Sequence, residues 1–124
     1  MTLVYLVDDD ASVRAGVGRL LRLAGYRVEA FGSAAEFLHR YRDGAGCLIA
    51  DIRMPGIDGF DLQDRLRAAG RGLPIVFITG HGDIPMAVRA IQGGAVDFLT
   101  KPFDQETLLA AVERAVAMPR DLYS

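Results

Sequence analysis

Lysine is almost missing from this chain: thirteen arginines stand against a single lysine, Lys101. Lysine is a compact point charge where arginine is a planar fork, so the exception invites a chemical reason. Cysteine is equally scarce. Cys47 stands alone, which excludes an internal disulfide, and its run into Leu48-Ile49-Ala50 reads as a small buried hydrophobe rather than a nucleophile. Of the two histidines, His81 lies in a turn and His39 beside Arg40, neither with partners at ligand spacing, so neither is expected to hold a metal. No basic cluster occurs and the net charge is −2, which argues against nucleic-acid binding by this chain itself. No apolar run approaches the length of a membrane span, and no signal-peptide pattern opens the chain. A reducing, cytoplasmic setting fits these absences.

What is present is 124 residues, 51% of them hydrophobic, enough for one globular domain with a full core. Two periodicities alternate along it, without repeats or low-complexity stretches. Leu3 to Val7 is a strand-like run, and Val13, Val17, Leu20, Leu21 and Ala24 follow at helical spacing up to Gly25. Tyr26 to Phe31 predicts a second strand, and Ser33 caps a helix carrying Phe37, Leu38 and Tyr41. Cys47 to Ala50 reads as a buried strand ending at Asp51, then a Pro-Gly loop leads to a helix through Leu62 and Leu66. Ile75 to Ile78 ends at Thr79, and Ile84, Ala87, Val88 and Ile91 mark a fourth helix closed by Gly93-Gly94. Val96 to Leu99 ends at Thr100-Lys101-Pro102, and Leu108, Leu109, Val112, Ala115 and Val116 share one side of a last helix.

Apolar strands alternating with helices predict an α/β fold, a parallel sheet covered on both faces and doubly wound. Ligands of such sheets bind beyond the carboxyl ends of the strands, at the switch point of the topology. The residues just past four strands are Asp8-Asp9-Asp10, Asp51, Thr79 and Lys101, so acids, a hydroxyl and the lone lysine converge on one edge. Two carboxylates about 4 Å apart repel by about 4 kcal/mol at an effective dielectric of about 20, so this edge needs a neutralising partner or solvent to keep the charges apart. An oxygen-rich cluster without histidine or cysteine suits a hard cation, for which magnesium is the natural choice. A lysine and a threonine nearby suit a transferred phosphoryl group, and a carboxylate is itself a competent phosphoryl acceptor. Neither G-x-x-x-x-G-K nor G-x-G-x-x-G occurs, which points to a phosphoprotein or small phosphate compound as donor rather than a nucleotide. Asp10 reads instead as an acid near the first helix N-terminus, favoured by the dipole.

The blocks V-D-D-D after the first strand, D-I-R-M-P-G-I-D-G at the third, I-T-G after the fourth and K-P-F after the fifth resemble the receiver domain of two-component response regulators over essentially the whole chain. The stretch I-T-G-H-G-D-I-P-M-A-V with G-A-V-D-F is similar to the FixJ-type receivers in particular, whose parent proteins usually carry a C-terminal DNA-binding domain. The resemblance implies a flavodoxin-like receiver fold: five parallel strands in the order 2-1-3-4-5, with five helices. It implies that Asp51 is the phosphoacceptor for a sensor histidine kinase. Asp9 would ligate Mg2+ directly (Mn2+ being the alternative), Asp8 largely through a bound water, and Arg53 through its backbone carbonyl. Lys101 would pair with the phosphoryl oxygens, and Thr79 would move to them and let Phe98, otherwise a packed strand aromatic, turn inward. Pro102 would follow a cis peptide, and Arg53 and His81 would flank the phosphoryl group and tune its hydrolysis.

The output surface implied is the fourth helix and fifth strand, with Val88, Arg89 and Gln92 on it and a homodimer forming on phosphorylation. The chain would be no enzyme toward outside substrates, catalysing only its own phosphorylation and dephosphorylation. Residues 1–118 are expected to form the receiver, and 119–124 to start a linker to an effector domain through which alone DNA would be bound. Three readings compete: a single-domain phosphorelay protein, a pseudo-receiver that binds without phosphorylation, and a phosphatase of the haloacid-dehalogenase type using Asp8 as nucleophile. The last leaves Asp51 and K-P-F without a role.

Overall fold

A computed structural model describes residues 2–42 and 46–118; the expected linker start at 119–124 lies outside the described residues. Ten elements alternate: β1 (Leu3–Val7), α1 (Ala11–Leu23), β2 (Arg27–Phe31), α2 (Ala34–Arg40), β3 (Cys47–Asp51), α3 (Gly59–Ala68), β4 (Ile75–Thr79), α4 (Ile84–Gln92), β5 (Asp97–Thr100) and α5 (Gln105–Ala117). The strands form one parallel sheet in the order β2-β1-β3-β4-β5, with Val7 beside Ala50, Asp51 beside Ile78 and Thr79 beside Thr100. After β1 the chain first builds outward to β2, then returns to the other side of β1 for β3. The switch point therefore lies between the ends of β1 and β3.

Strand alternation divides the core into two layers. Tyr5, Val7, Leu48, Ala50 and Phe77 face α2, α3 and α4 through Phe37, Leu62, Leu66 and Ala90. Val4, Leu6, Cys47, Ile49, Val76 and Ile78 face α1 and α5 through Val17, Leu21, Leu108 and Val112. Each fully buried Leu, Ile or Phe contributes roughly 1.5–3 kcal/mol. The helices begin where a side-chain oxygen satisfies the first free amides: Asp10, Ser33, Asp58, Asp83 and Asp104 are the N-caps, Asp58 in a reciprocal capping box with Asp61. Asp10 is thus more than an acid near the dipole, since its carboxylate accepts the amides of Ser12 and Val13 at 2.8 and 3.4 Å.

The apolar stripe that locates α4 in the sequence does not identify its buried side. Ile84, Val88 and Ile91 are exposed, and the fully buried residue of this helix is Ala90. A small residue lets the helix sit close to the sheet, leaving the larger apolar positions outward. Val88, Arg89 and Gln92 are all exposed on it.

Candidate functional site

Four strands end at one cleft of about 690 Å³, lined by Asp9, Asp10, Asp51, Arg53, Thr79, Gly80, His81 and Lys101. Asp8 is fully buried beside it. Its backbone is clamped at both ends: the amide donates to Phe31 O at 3.1 Å, and the carbonyl accepts from Arg14 Nη1 at 2.7 Å. One carboxylate oxygen of Asp8 accepts the Asp10 amide at 2.9 Å and the other accepts Lys101 Nζ at 3.0 Å. Lys101 also donates to Asp51 at 3.4 Å, so the single lysine bridges the two buried acids. Asp9 is exposed at the rim.

Asp51 closes β3, and its other oxygen accepts the Arg53 amide at 3.3 Å. Close packing of α3 fixes this strand end. The Gly59 amide donates to Ile52 O at 2.8 Å, and a Cβ on Gly59 would lie 2.6 Å from the Asp51 carbonyl oxygen. Thr79, fully buried at the end of β4, accepts the His81 amide on Oγ1 at 3.3 Å, and its carbonyl accepts the Lys101 amide at 2.8 Å. The Lys101–Pro102 peptide is cis.

Burial, then the charge of Asp8, pushes the Asp51 carboxyl above its ordinary range, and Lys101 pulls partly back. Burial works against the Lys101 ammonium, but the hydrogen bond to Asp8 and the charges of Asp51 and Asp8 outweigh it, so its pKa lies above the usual lysine value. The site thus holds an acid reluctant to ionise beside a base committed to its proton.

Oxygens of Asp8, Asp9 and Asp51 all lie within 4.8 Å of one another. Three carboxylates without a sulfur or imidazole donor fit a hard divalent cation.

The structure brings Asp8, Asp9, Asp51, Arg53, Thr79, His81 and Lys101 together. Phe98 stands apart on β5, half-buried against the core, with Val88, Arg89 and Gln92 on α4 further out. Sequence reasoning misses Arg14, whose only signal is its place one turn into α1 after the acids. It also misses Gly59 and Gly82; a Cβ on Gly82 would come within 2.9 Å of the Phe98 ring edge and 3.1 Å of the Thr79 methyl.

The family model for the response regulator receiver domain matches residues 4–113. The response regulator protein TodT of Pseudomonas putida is 49% identical over 118 residues, covering 94% of this chain and 52% of its own length. The transcriptional regulatory protein FixJ of Bradyrhizobium diazoefficiens is 45% identical over 114 residues, 91% of this chain and 56% of its own. The chain therefore spans about half the length of these curated relatives. Among solved structures, FixJ-N matches with a TM-score of 0.84 and 38% identity over 96% of both chains. The non-phosphorylated HemR receiver domain of Leptospira biflexa matches at 0.87 and 28% identity, over 96% of this chain and 97% of that one. With fold, strand order and sequence in agreement over almost its whole length, this chain belongs to the response regulator receiver domains.

Proposed function

We propose that Asp51 accepts a phosphoryl group from a phosphohistidine of a sensor histidine kinase. The observation that carries this reading is the bridge from Lys101 to both Asp8 and Asp51 at the mouth of the cleft. Lys101 holds the acids together and is positioned to take up phosphoryl oxygens once the group arrives. A carboxylate oxygen of Asp51 attacks phosphorus, the P–N bond to the imidazole breaks, and the pair left on the ring nitrogen takes up a proton. Asp8, Asp9, Asp51 and the backbone carbonyl of Arg53 would hold Mg2+ or Mn2+, which when bound offsets the charge of the acids and the phosphoryl oxygens.

The Thr79 hydroxyl, now an acceptor for the His81 amide, would turn to donate to a phosphoryl oxygen. Thr79 and Phe98 share one neighbour in Gly82, which supports their acting together in the switch. Arg53 and His81 line the cleft, where they would govern the access of water to the phosphoryl group. Phosphorylation would favour a homodimer through α4 and β5, with Val88, Arg89 and Gln92 at the interface, and only a differential preference for the phosphorylated state can shift that equilibrium. The receiver would occupy residues 1–118, and DNA would be bound through a further domain of a longer protein; the chain spans 56% of the length of the transcriptional regulatory protein FixJ. On this reading the chain acts on no outside substrate and works in the cytoplasm; among the described residues no helix is long and apolar enough to cross a membrane.

The phosphatase alternative requires an accessible nucleophile at Asp8, and Asp8 is fully buried with both oxygens engaged. The test is intact-mass measurement after incubation with acetyl phosphate, with and without Mg2+. A Mg2+-dependent phosphoryl adduct, absent in Asp51→Asn, is expected. An adduct that persists in that variant overturns the assignment.

A further inference from the structure

Gln63 is an uncommon core residue: an amide side chain on α3, only 5% exposed. Its Nε2 donates to the Ala90 carbonyl at 3.1 Å, in the last turn of α4. One turn further along α3, Arg67 Nη1 donates to the Gly93 carbonyl at 3.2 Å. The Ala90 carbonyl also accepts the Ala95 amide of its own chain at 3.0 Å, so α3 adds a second donor to a helix end whose carbonyls have few intrahelical partners. The space is made to measure, because a Cβ on Gly93 would fall 2.6 Å from Gln63 Oε1. Gly93 has φ −78°, which any residue adopts, so the vacancy serves the amide rather than the backbone.

Besides these bonds, Met86 is partly buried against the core, and the rest of the helix packs lightly. Ala90 is its one fully buried residue, and Ile84, Val88 and Ile91 face away from the core. Arg89 stacks on Phe60, again a residue of α3, with its guanidinium carbon 4.2 Å from the ring centre. The other end of α3 touches the phosphoacceptor strand directly, through Gly59 against the Asp51 carbonyl. One rigid helix therefore meets the strand end bearing Asp51 and, one turn on, grips the C-terminus of α4.

We propose that Gln63 is a positioning residue, a latch that fixes the resting seat of α4 and couples it through α3 to the end of β3. The coupling half rests on the reading of Asp51 as phosphoacceptor; the latch half does not. A latch made of one buried hydrogen bond is strong enough to hold a weakly packed helix and weak enough to be released.

The test is hydrogen exchange on the whole chain, comparing wild type with Gln63→Met, which keeps the bulk and removes the donor. Gly93→Ala serves as a second variant that leaves the amide chemically intact but takes its space, displacing only the flexible end of a side chain. In both, amides 90–95 should exchange about tenfold faster, the effect of one lost buried hydrogen bond, while β1 and β3 keep their rates. Unchanged exchange in α4, or a uniform rise across the domain, overturns the latch. The same measurement is repeated with Mg2+ and beryllofluoride as phosphoryl analogue. Where the analogue protects residues 51–53 in all three proteins, its effect on α4 should shrink several-fold in the two variants. An undiminished α4 response overturns the coupling. Absence of protection at residues 51–53 in wild type counts against the phosphoacceptor reading instead, and the analogue-free comparison still decides the latch.

Discussion

The ammonium of Lys101 stands 3.0 Å from the fully buried carboxylate of Asp8, ninety-three residues away in sequence, and is nearer to it than to Asp51. Lysine's compact charge on a flexible stem reaches between two acids where a planar guanidinium requires a wider opening. The single lysine of the chain is therefore as much a structural counter-charge as a candidate phosphoryl ligand.

Lys101→Met accordingly should destabilise the metal-free domain by on the order of 2 kcal/mol, because Asp8 is left buried without a cation. The figure sits below that of a fully buried pair because the Lys101 side chain is 23% exposed. Adding Asp8→Asn should recover much of the loss. Urea denaturation of the four proteins in the cycle gives the coupling directly, and additive effects of the two substitutions contradict the pairing.

Asp51→Asn should act in the opposite direction. Burial and the charge of Asp8 raise the Asp51 pKa on folding. A carboxyl raised in this way contributes stability below its unfolded pKa and loses it as the pH climbs through the folded value. At neutral pH the ionised acid is thus a liability, and asparagine relieves it. The urea midpoint of Asp51→Asn should exceed that of wild type at pH 7 in the presence of a chelator. The gap should close on acidification below the ordinary aspartate value of about 3.9. A gap independent of pH would point to packing rather than charge.

Gly59→Ala sets two effects against each other. Alanine favours a helix by roughly 1 kcal/mol over glycine. The added Cβ, however, meets backbone rather than a flexible side chain, 2.6 Å from Asp51 O and 2.8 Å from Ile52 Cα. Overpacking of this kind costs about 1–3 kcal/mol, so net destabilisation is expected in thermal or urea unfolding, with shifted amide resonances at residues 51–53. A stabilised variant would show that α3 moves away freely.

These three sites mark where sequence reading succeeds and where it stops. Elements follow from periodicity because the three central strands β1, β3 and β4 are buried apolar runs and each helix starts at a side-chain cap, signals that are local. The convergence of Asp8, Asp51, Thr79 and Lys101 follows from topology, since parallel strands must all end on one side. What escapes is pairwise contact. Nothing near Gln63 announces that its amide meets the last turn of α4, and nothing near Gly59 announces that it lies on Asp51. The solvent-facing stripe of α4 escapes for a related reason: spacing shows that one face is apolar, and only packing shows which face is covered.

Cys47 offers a check on the core itself. The thiol is fully buried, and burial pushes its pKa up to about 12. Thiolate is the reactive form, so the folded domain should resist a disulfide reagent at pH 8, and labelling should proceed only through opening of the sheet. The sign of the linkage follows from the same shift. A thiol raised from 9.0 on folding favours the native state below pH 9 and loses that contribution toward 12. Relative to Cys47→Ala, the wild-type domain should therefore lose stability progressively as the pH climbs across that window. Urea midpoints of the two proteins at stepped alkaline pH give the comparison. Parallel curves, or labelling faster than global unfolding, would place the β3 thiol within reach of solvent in the folded state.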